Sequence, residues 1–112
     1  MNEDLILCGA GGKQQKFYMN PRYGMLPQEV QQELKAALAV FAEKVGGTVL
    51  LVFSEAGDIS VQLIPDEGDF YFDEIEAGMA VSRLQKEKET LFLQLKAFYL
   101  VFFGEKHETG NL

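Results

Sequence analysis

The stretch GGTVLLVFSEAGDISVQLIP, residues 46–65, decides the fold. Its first half, 48–54, is apolar on both faces and rich in β-branched side chains, which is typical of an interior strand. Its second half, 59–64, alternates between apolar and polar residues, so only one of its faces is apolar. Gly57 stands between the halves and can take the positive φ that a tight turn requires. The stretch therefore predicts an antiparallel hairpin of 48–54 with 59–64 at the centre of a sheet.

A long helix is predicted before this hairpin, over residues 27–45. Pro27 suits the first helical turn, because its missing N–H would have no partner there. Gly46 and Gly47 can adopt the left-handed conformation that ends a helix. The apolar residues recur at helical spacing: Val30, Leu34, Ala37, Leu38, Phe41 and Val45. A helix with a single apolar stripe packs against one surface, which we expect to be the sheet.

A second long helix is predicted over residues 82–103. Ser82 and Gln85 have the spacing of a capping box at its start. Apolar residues follow at helical spacing: Leu84, Leu91, Leu95, Phe98 and Phe102. Many residues of this stretch are also β-prone, but no glycine or proline occurs before Gly104, and the stretch is far longer than a normal strand. Length therefore favours a single helix.

The remaining apolar runs, LILC at 5–8 and KFYM at 16–19, are predicted to form a two-stranded ribbon. With the hairpin and the two helices they give an α+β fold, a two-layer sandwich of about four antiparallel strands packed by two long helices. A chain of 112 residues has room for one domain, which we place at 1–104. Residues 105–112 are predicted to form a flexible C-terminal tail.

The net charge of −7 is concentrated in one part of the chain. Between Lys44 and Arg83 there are eight Asp and Glu residues and no Lys or Arg. Such a field repels phosphates, so neither nucleic acid nor an anionic membrane surface is expected as a partner. No apolar run in the sequence reaches the length of a membrane-spanning helix. A single cysteine excludes an intramolecular disulfide and favours a cytoplasmic location.

Few residues of the chain are suited to catalysis. The stretch CGAGGKQ, residues 8–14, lacks the first glycine and the final Ser or Thr of a phosphate-binding loop. Cys8 has no activating base at hand, since the only histidine is His107, in the predicted tail. One His and one Cys are also too few for a typical zinc site. We therefore predict no catalytic residue and no cofactor, and we favour a protein that is not an enzyme.

The acidic segment DEGDFYFDEIE, residues 66–76, surrounds three consecutive aromatic residues with six carboxylates. Three interpretations are open: a solvated turn with a helix cap, a docking surface for a basic partner, or a weak cation site. The candidate cation ligands are Asp66, Asp69 and Asp73, although their spacing is not that of an EF-hand loop.

The conformation of this segment is also open. If it is extended, alternation buries Phe70 and Phe72 and leaves Asp69 in water, together with Asp66 and Glu67. Alternatively, residues 73 and 74 lie at the N-terminus of a short helical turn, where the helix dipole favours carboxylates.

Our leading hypothesis is a non-enzymatic protein-interaction module, an acidic adaptor or a chaperone for a basic or unfolded client. The residues expected on its acidic surface are Glu67, Asp69, Glu74 and Glu76. The apolar end of the last helix also predicts a homodimer, through Phe98, Phe102 and Phe103. The alternative is a domain that binds a cation at 66–76, or a small molecule between the sheet and the last helix. In that pocket the polar groups would come from Tyr18, Tyr71 or Tyr99.

Four strings together resemble a family of short bacterial proteins of unknown function: EDLILCGA, EKVGGTVLLVF, DEGDFYFDEI and LQKEKETLFLQLKAFYLVFF. The likeness runs from residue 3 to residue 104. The resemblance implies a cytoplasmic bacterial protein with this order of elements. It implies no activity, cofactor or catalytic residue, so no role is transferred to any position of this chain.

Overall fold

A computed structural model describes residues 3–13 and 16–104 of the chain. Within them, a four-stranded antiparallel sheet combines with three α-helices, which confirms the predicted α+β fold. The elements in chain order are β1 (Ile6–Gly11), β2 (Lys16–Met19), α1 (Gln28–Val45), β3 (Thr48–Phe53), β4 (Ile59–Ile64), α2 (Glu74–Glu87) and α3 (Glu89–Phe103). Short 3-10 turns occupy Glu3–Leu5 and Pro21–Tyr23. The predicted tail, with His107, lies outside the described residues.

The strands are ordered β2-β1-β3-β4 across the sheet. β3 is therefore interior, and β1 with β2 forms the predicted ribbon. The hairpin of β3 with β4 also forms, with Leu51 opposite Val61. Its predicted place at the centre of the sheet is wrong, because β4 is an edge strand and the middle of the sheet lies between β1 and β3. The alternation of β4 suits an edge strand that packs on one face only.

One face of the sheet packs against the helices. The side chains of β1 and β3 that point to this face are Cys8, Ala10, Val49, Leu51 and Phe53. The opposite face carries the exposed side chains Tyr18, Ser60 and Ile64. On that face Leu50 lies across β1, and Gly9 leaves the room for it, since a Cβ at Gly9 would lie 2.5 Å from Leu50 Cδ2. The two layers are thus the sheet and the helices, as predicted.

Helix α1 covers the sheet with the predicted apolar stripe. Its buried residues are Leu34, Leu38, Phe41 and Ala42. Pro27 is the cap residue, and the helix begins at Gln28. It ends where Gly46 and Gly47 take φ values of 87° and 73°, which residues with a side chain rarely adopt.

The single helix predicted over 82–103 is wrong, because α2 and α3 are separate helices that meet at Lys88. The predicted capping box at 82–85 lies inside α2. Helix α2 packs against α1, and Lys88 Nζ lies 3.2 Å from Glu33 Oε2 of α1. Helix α3 packs instead against the end of the sheet, where the Tyr99 ring centroid is 4.6 Å from that of Phe53. One straight helix could not follow both surfaces, which accounts for the break.

An aromatic cluster fixes the C-terminal end of α3. The ring centroid of Tyr23 lies 5.3 Å from those of both Phe53 and Phe103. Tyr99 also contacts Phe103, at a centroid distance of 5.8 Å. The end of α3 is therefore held to the core on one side. Among the described residues, no helix is long and apolar enough to cross a membrane.

Candidate docking surface

The segment between β4 and α2 begins with a hydrogen-bonded turn. The Asp69 N–H donates to the Asp66 carbonyl oxygen at 3.1 Å, and Gly68 takes the positive φ of 81° within this turn. Asp69 Oδ1 then accepts a hydrogen bond from the Tyr71 N–H at 3.0 Å. This bond of an aspartate to the backbone two residues later is a common means of fixing a turn. The conformation of 66–72 is therefore set by its own aspartates.

Asp73 starts helix α2. Its Oδ1 accepts hydrogen bonds from the N–H groups of Ile75 and Glu76, at 3.0 and 3.1 Å. Glu74 and Glu76 follow in the first turn, where the positive end of the helix dipole favours carboxylates. The alternative that placed 73 and 74 at a helix N-terminus is thus confirmed. The helix has 14 residues, however, and is not a short turn.

The turn presents two aromatic rings to water. Phe70 is 91 % exposed and Tyr71 is 95 % exposed, whereas Phe72 is half-buried. The predicted burial of Phe70 is therefore wrong. Alternation applies to a strand with a paired neighbour, but residues 69–72 form no strand, because the carboxylates of the segment hydrogen-bond its backbone.

The first turns of α2 extend this exposed region. Ile75 is 78 % exposed, and Met79, one helical turn later, is exposed beside it. We call the whole region the acidic aromatic surface. Its exposed members are Glu67, Asp69, Phe70, Tyr71, Glu74, Ile75, Glu76 and Met79.

A groove of about 710 Å³ adjoins the acidic aromatic surface, between the start of α2 and the end of α1. Tyr71 and Met79 line it, together with Lys44 and Arg83. It continues into a second groove of about 340 Å³ between α1 and α2, which Lys44 and Arg83 also line. The surface therefore combines projecting aromatic side chains with a concave neighbour.

The carboxylates of the acidic aromatic surface form no ion pair with any described residue, although Lys44 and Arg83 line the adjoining groove. The ion pairs of Lys88 with Glu33 and of Lys96 with Asp58 lie elsewhere in the fold. Within residues 3–13 and 16–104, none of the six carboxylates of 66–76 is in an ion pair. Of the four residues predicted for the acidic surface, all are exposed: Glu67, Asp69, Glu74 and Glu76. Asp66, predicted to face water fully, is half-buried.

The candidate cation ligands Asp66, Asp69 and Asp73 are not clustered around one point in the structure. In the part of the chain that the structure describes, no three His, Cys, Asp or Glu residues lie close enough together to hold a metal ion. Asp69 and Asp73 each use an oxygen to accept hydrogen bonds from backbone N–H groups. Their roles in the geometry are a turn and a helix cap.

Cys8 and the neighbouring glycines have structural roles. Cys8 is fully buried, and burial raises its pKa to about 12, so the thiol stays protonated at neutral pH. Gly12 lies against α1, and a Cβ there would come 2.4 Å from the Ala42 carbonyl oxygen. The Gly12 N–H donates to the Gly47 carbonyl oxygen at 3.0 Å. Close packing against α1 therefore accounts for a glycine at this position, and a phosphate-binding role is not needed to explain it.

The three tyrosines that were alternatives for the polar group of the predicted pocket lie in different places. Tyr18 is exposed on the open face of the sheet, Tyr71 belongs to the acidic aromatic surface, and Tyr99 is buried beside Phe53. Of the three, only Tyr99 lies between the sheet and the last helix.

The three phenylalanines predicted for self-association have different surroundings. Phe103 is partly buried and packs on Tyr23, which belongs to the core. Phe98 is half-buried and lies against Phe102, with ring centroids 4.8 Å apart. Only Phe102 of the three is exposed.

Ile75 and Met79 were not predicted as surface residues from the sequence. Their spacing of four is a helical signal, but it becomes visible only if the helix is started at Asp73. The Asp-x-x-Glu pattern of Asp73 and Glu76 marks such a start.

The sequence comparisons identify the family. The chain matches the family described as "Family of unknown function (DUF6145)" over residues 4–107, and it therefore belongs to that family. No curated protein and no solved structure matches the chain at a significant level.

Proposed function

We propose that this member of DUF6145 is a non-enzymatic protein-interaction module whose acidic aromatic surface binds a basic segment of a partner protein. It would act as an adaptor or as a chaperone for such a client. The observation that carries the proposal is the nearly complete exposure of Phe70 and Tyr71 beside carboxylates that form no ion pair within residues 3–13 and 16–104.

The two aromatic rings favour a protein partner. Aromatic side chains are enriched at protein interfaces, where a few of them supply most of the binding energy. Burying one aromatic side chain is worth roughly 3 kcal/mol by the area it removes from water. In this chain the turn holds both rings outward by hydrogen bonds within the backbone segment. Little conformational freedom of this turn would then be lost on binding.

The chemistry of the surface favours arginine in the partner. A guanidinium group can pair with a carboxylate through two parallel hydrogen bonds and can also stack on an aromatic ring. Asp69 directly precedes Phe70 and Tyr71, and Glu67 stands two residues before Asp69, so carboxylates and aromatic rings occur within a few residues of each other. An ammonium group lacks the planar shape that serves both contacts. We therefore expect an arginine-containing segment with apolar residues between the arginines.

The proposal places this binding in the cytoplasm of a bacterial cell. Cys8 is the only cysteine of the sequence and is buried as a thiol, which suits a reducing compartment. The resemblance to short bacterial proteins supports the same setting.

Fluorescence anisotropy of a labelled peptide of alternating arginine and leucine tests the proposal. We expect the double variant Phe70→Ala and Tyr71→Ala to weaken binding by about tenfold or more. Its melting temperature should be unchanged, because both rings are exposed. A peptide with lysine in place of arginine should bind less tightly, and salt should weaken both.

Matched controls test whether binding depends on this surface or only on the net negative charge of the protein. Tyr18→Ala removes an exposed tyrosine from the sheet face and should leave binding unchanged. Glu74→Gln with Glu76→Gln should weaken binding more than Glu29→Gln with Glu43→Gln, which removes the same charge from exposed positions of α1. Equal effects of the two charge pairs, together with full binding by the Phe70 and Tyr71 variant, would refute the proposed site.

A further inference from the structure

Helix α3 has an outer face with no charged side chain after its first residue. Leu93, Ala97, Leu100 and Val101 lie on this face and are exposed. Thr90 and Gln94, also exposed, are its only polar members. From residue 90 to residue 103 the sequence contains a single charged residue, Lys96. Its Nζ lies 2.8 Å from Asp58 Oδ1, at the side of the helix that faces the hairpin.

Such a face is unusual for a helix in contact with water. Exposed helix faces normally carry charged residues opposite the buried stripe, as α1 does with exposed residues such as Glu29, Lys35 and Glu43. The other side of α3 is already used, because Leu91, Leu95 and Tyr99 are buried in the core. The outer face is therefore a second apolar surface of the same helix.

Ala97 lies at the middle of the outer face. Leu93 and Val101, both apolar, stand four residues before and after it, whereas the polar Gln94 and the apolar Leu100 stand three residues before and after it. Two copies of α3 packed antiparallel about a two-fold axis at Ala97 therefore place Leu93 of each copy opposite Val101 of the other. The small side chain at the centre allows the two helix axes to approach to about 8 Å.

We propose that the chain forms a homodimer through the outer face of α3, with the two-fold axis passing beside Ala97. The acidic aromatic surface and the charged face of α1 are unfavourable partners for this face, because their charges would be buried against apolar side chains. The same face of a second copy offers uncharged apolar residues instead. This inference does not rest on the proposed function, because the two surfaces share no residue.

The size of the face sets the expected strength of the dimer. Its exposed apolar side chains, with Phe102 at the end, present on the order of 400 Å² per copy, which is the size of the largest apolar patch on a typical monomer, and such patches are often functional. With the polar residues around them, two copies would bury roughly 1,000 Å² in total, near the lower limit for a specific interface. We therefore expect a dissociation constant on the order of 10 µM.

Sedimentation equilibrium of the full chain over a concentration range tests the proposal, with two valine variants as a matched pair. Val101 on α3 is 69 % exposed and Val40 on α1 is 68 % exposed. Val101→Glu should weaken the dimer by about tenfold or more, because the symmetry brings two new carboxylates into one interface. Val40→Glu should leave the dissociation constant unchanged. Both variants should fold, since neither side chain is buried.

Disulfide cross-linking locates the axis. In oxidising buffer, Ala97→Cys should give a covalent dimer, because residues beside a two-fold axis bring their Cα atoms within disulfide reach. Ala36→Cys, at an exposed alanine of α1, should not. Cys8 contributes no background, since it is fully buried. A monomer at about 100 µM, equal effects of the two valine variants, or equal cross-linking of the two cysteine variants would each overturn the proposal.

Discussion

The guanidinium carbon of Arg22 lies 4.2 Å from the centroid of the Phe103 ring. The contact joins the 3-10 turn after β2 to the last residue of α3. The same ring also packs edge-on against Tyr23, with the ring centroids 5.3 Å apart. Phe103 is therefore partly buried against the core of its own chain, whereas the sequence analysis predicts it on a self-association surface.

The contact of Arg22 with Phe103 should contribute measurably to stability. A cation over an aromatic ring at a partly exposed site is worth about 0.5–1 kcal/mol. We expect this coupling energy from a double-mutant cycle of Arg22→Ala and Phe103→Leu, measured by urea denaturation. Arg83→Ala, at an exposed position of α2, serves as the control and should change the free energy of unfolding by less than about 0.5 kcal/mol. A coupling energy of zero would show that the Arg22 guanidinium does not interact with the ring.

Gly57 in the β3–β4 turn should not tolerate a side chain. Its φ of 90° is unfavourable for alanine, and a Cβ would lie 3.2 Å from Tyr99 Cδ1 and 3.3 Å from Lys96 Cγ. We expect Gly57→Ala to lower the free energy of unfolding by about 1–3 kcal/mol. Urea denaturation measures this loss. An unchanged midpoint would mean that α3 does not rest on this turn.

Replacing Gly78 by alanine should change the free energy of unfolding in the opposite direction. It lies in the interior of α2, is exposed, and has nothing within 4 Å of the position of a Cβ. Alanine is the better helix former and reduces the freedom of the unfolded chain, so Gly78→Ala should raise the free energy of unfolding by about 0.5–1 kcal/mol. Urea denaturation of the Gly78→Ala and Gly57→Ala variants under the same conditions compares their free energies of unfolding. Destabilisation at Gly78 would contradict the exposed helical environment.

Asp73 should stabilise the start of α2 as a helix cap. Asp73→Ala removes the acceptor for two backbone N–H groups and should cost about 1 kcal/mol. The melting temperature should then fall by about 4 °C for a chain of this size. Asp73→Asn is the control, since asparagine caps helices about as well as aspartate. If alanine and asparagine lower the melting temperature equally, the cap is not the source of the effect.

Alkaline pH should destabilise the fold through Cys8. Burial raises the pKa of its thiol from 9.0 to about 12, so the unfolded chain loses this proton at a lower pH than the folded chain does. The stability is therefore complete below about pH 9 and falls as the pH rises toward 12, by up to about 4 kcal/mol. Burial raises the pKa of Tyr23 as well, with the same sign of effect.

Urea denaturation of the wild type and of Cys8→Ala, at about pH 8 and about pH 10.5, measures this dependence. The variant should lose less stability between the two pH values than the wild type. The pH dependence of stability that remains in the variant is expected from Tyr23. An equal loss in both proteins would show that Cys8 does not contribute.

Helix α1 and the hairpin could be predicted from the sequence because their apolar residues are large and face one layer. Leu34, Leu38 and Phe41 mark the helix directly, and the alternation of β4 marks its single packed face. The order of the strands could not be predicted this way. Residue patterns give the faces of a strand, whereas its neighbours depend on long-range pairing, here of β1 with β3.

Helix α2 was missed over its first half because its core positions are small. Ala77 is buried and Ala80 is half-buried, so the apolar stripe is weak, and Gly78 resembles a breaker. The break at Lys88 has no signal in the local sequence, since it follows from the two surfaces on which α2 and α3 pack. The exposed state of Phe70 was missed for a related reason: the carboxylates of Asp69 and Asp73 accept hydrogen bonds from backbone N–H groups, and these bonds set the backbone where alternation had been assumed.

The acidic aromatic surface is encoded by one uninterrupted piece of chain, from Glu67 to Met79. The strand before this piece pairs with β3, and the helix after it packs on α1, so neither depends on the outward side chains between them. Under the proposed function, exchanging the outward side chains of this stretch between relatives would exchange what they bind, as long as Asp69, Asp73 and Ala77 are kept, because these three hold the turn, the helix cap and the core. In genetic terms, codons that are free to vary alternate here with codons that stability constrains.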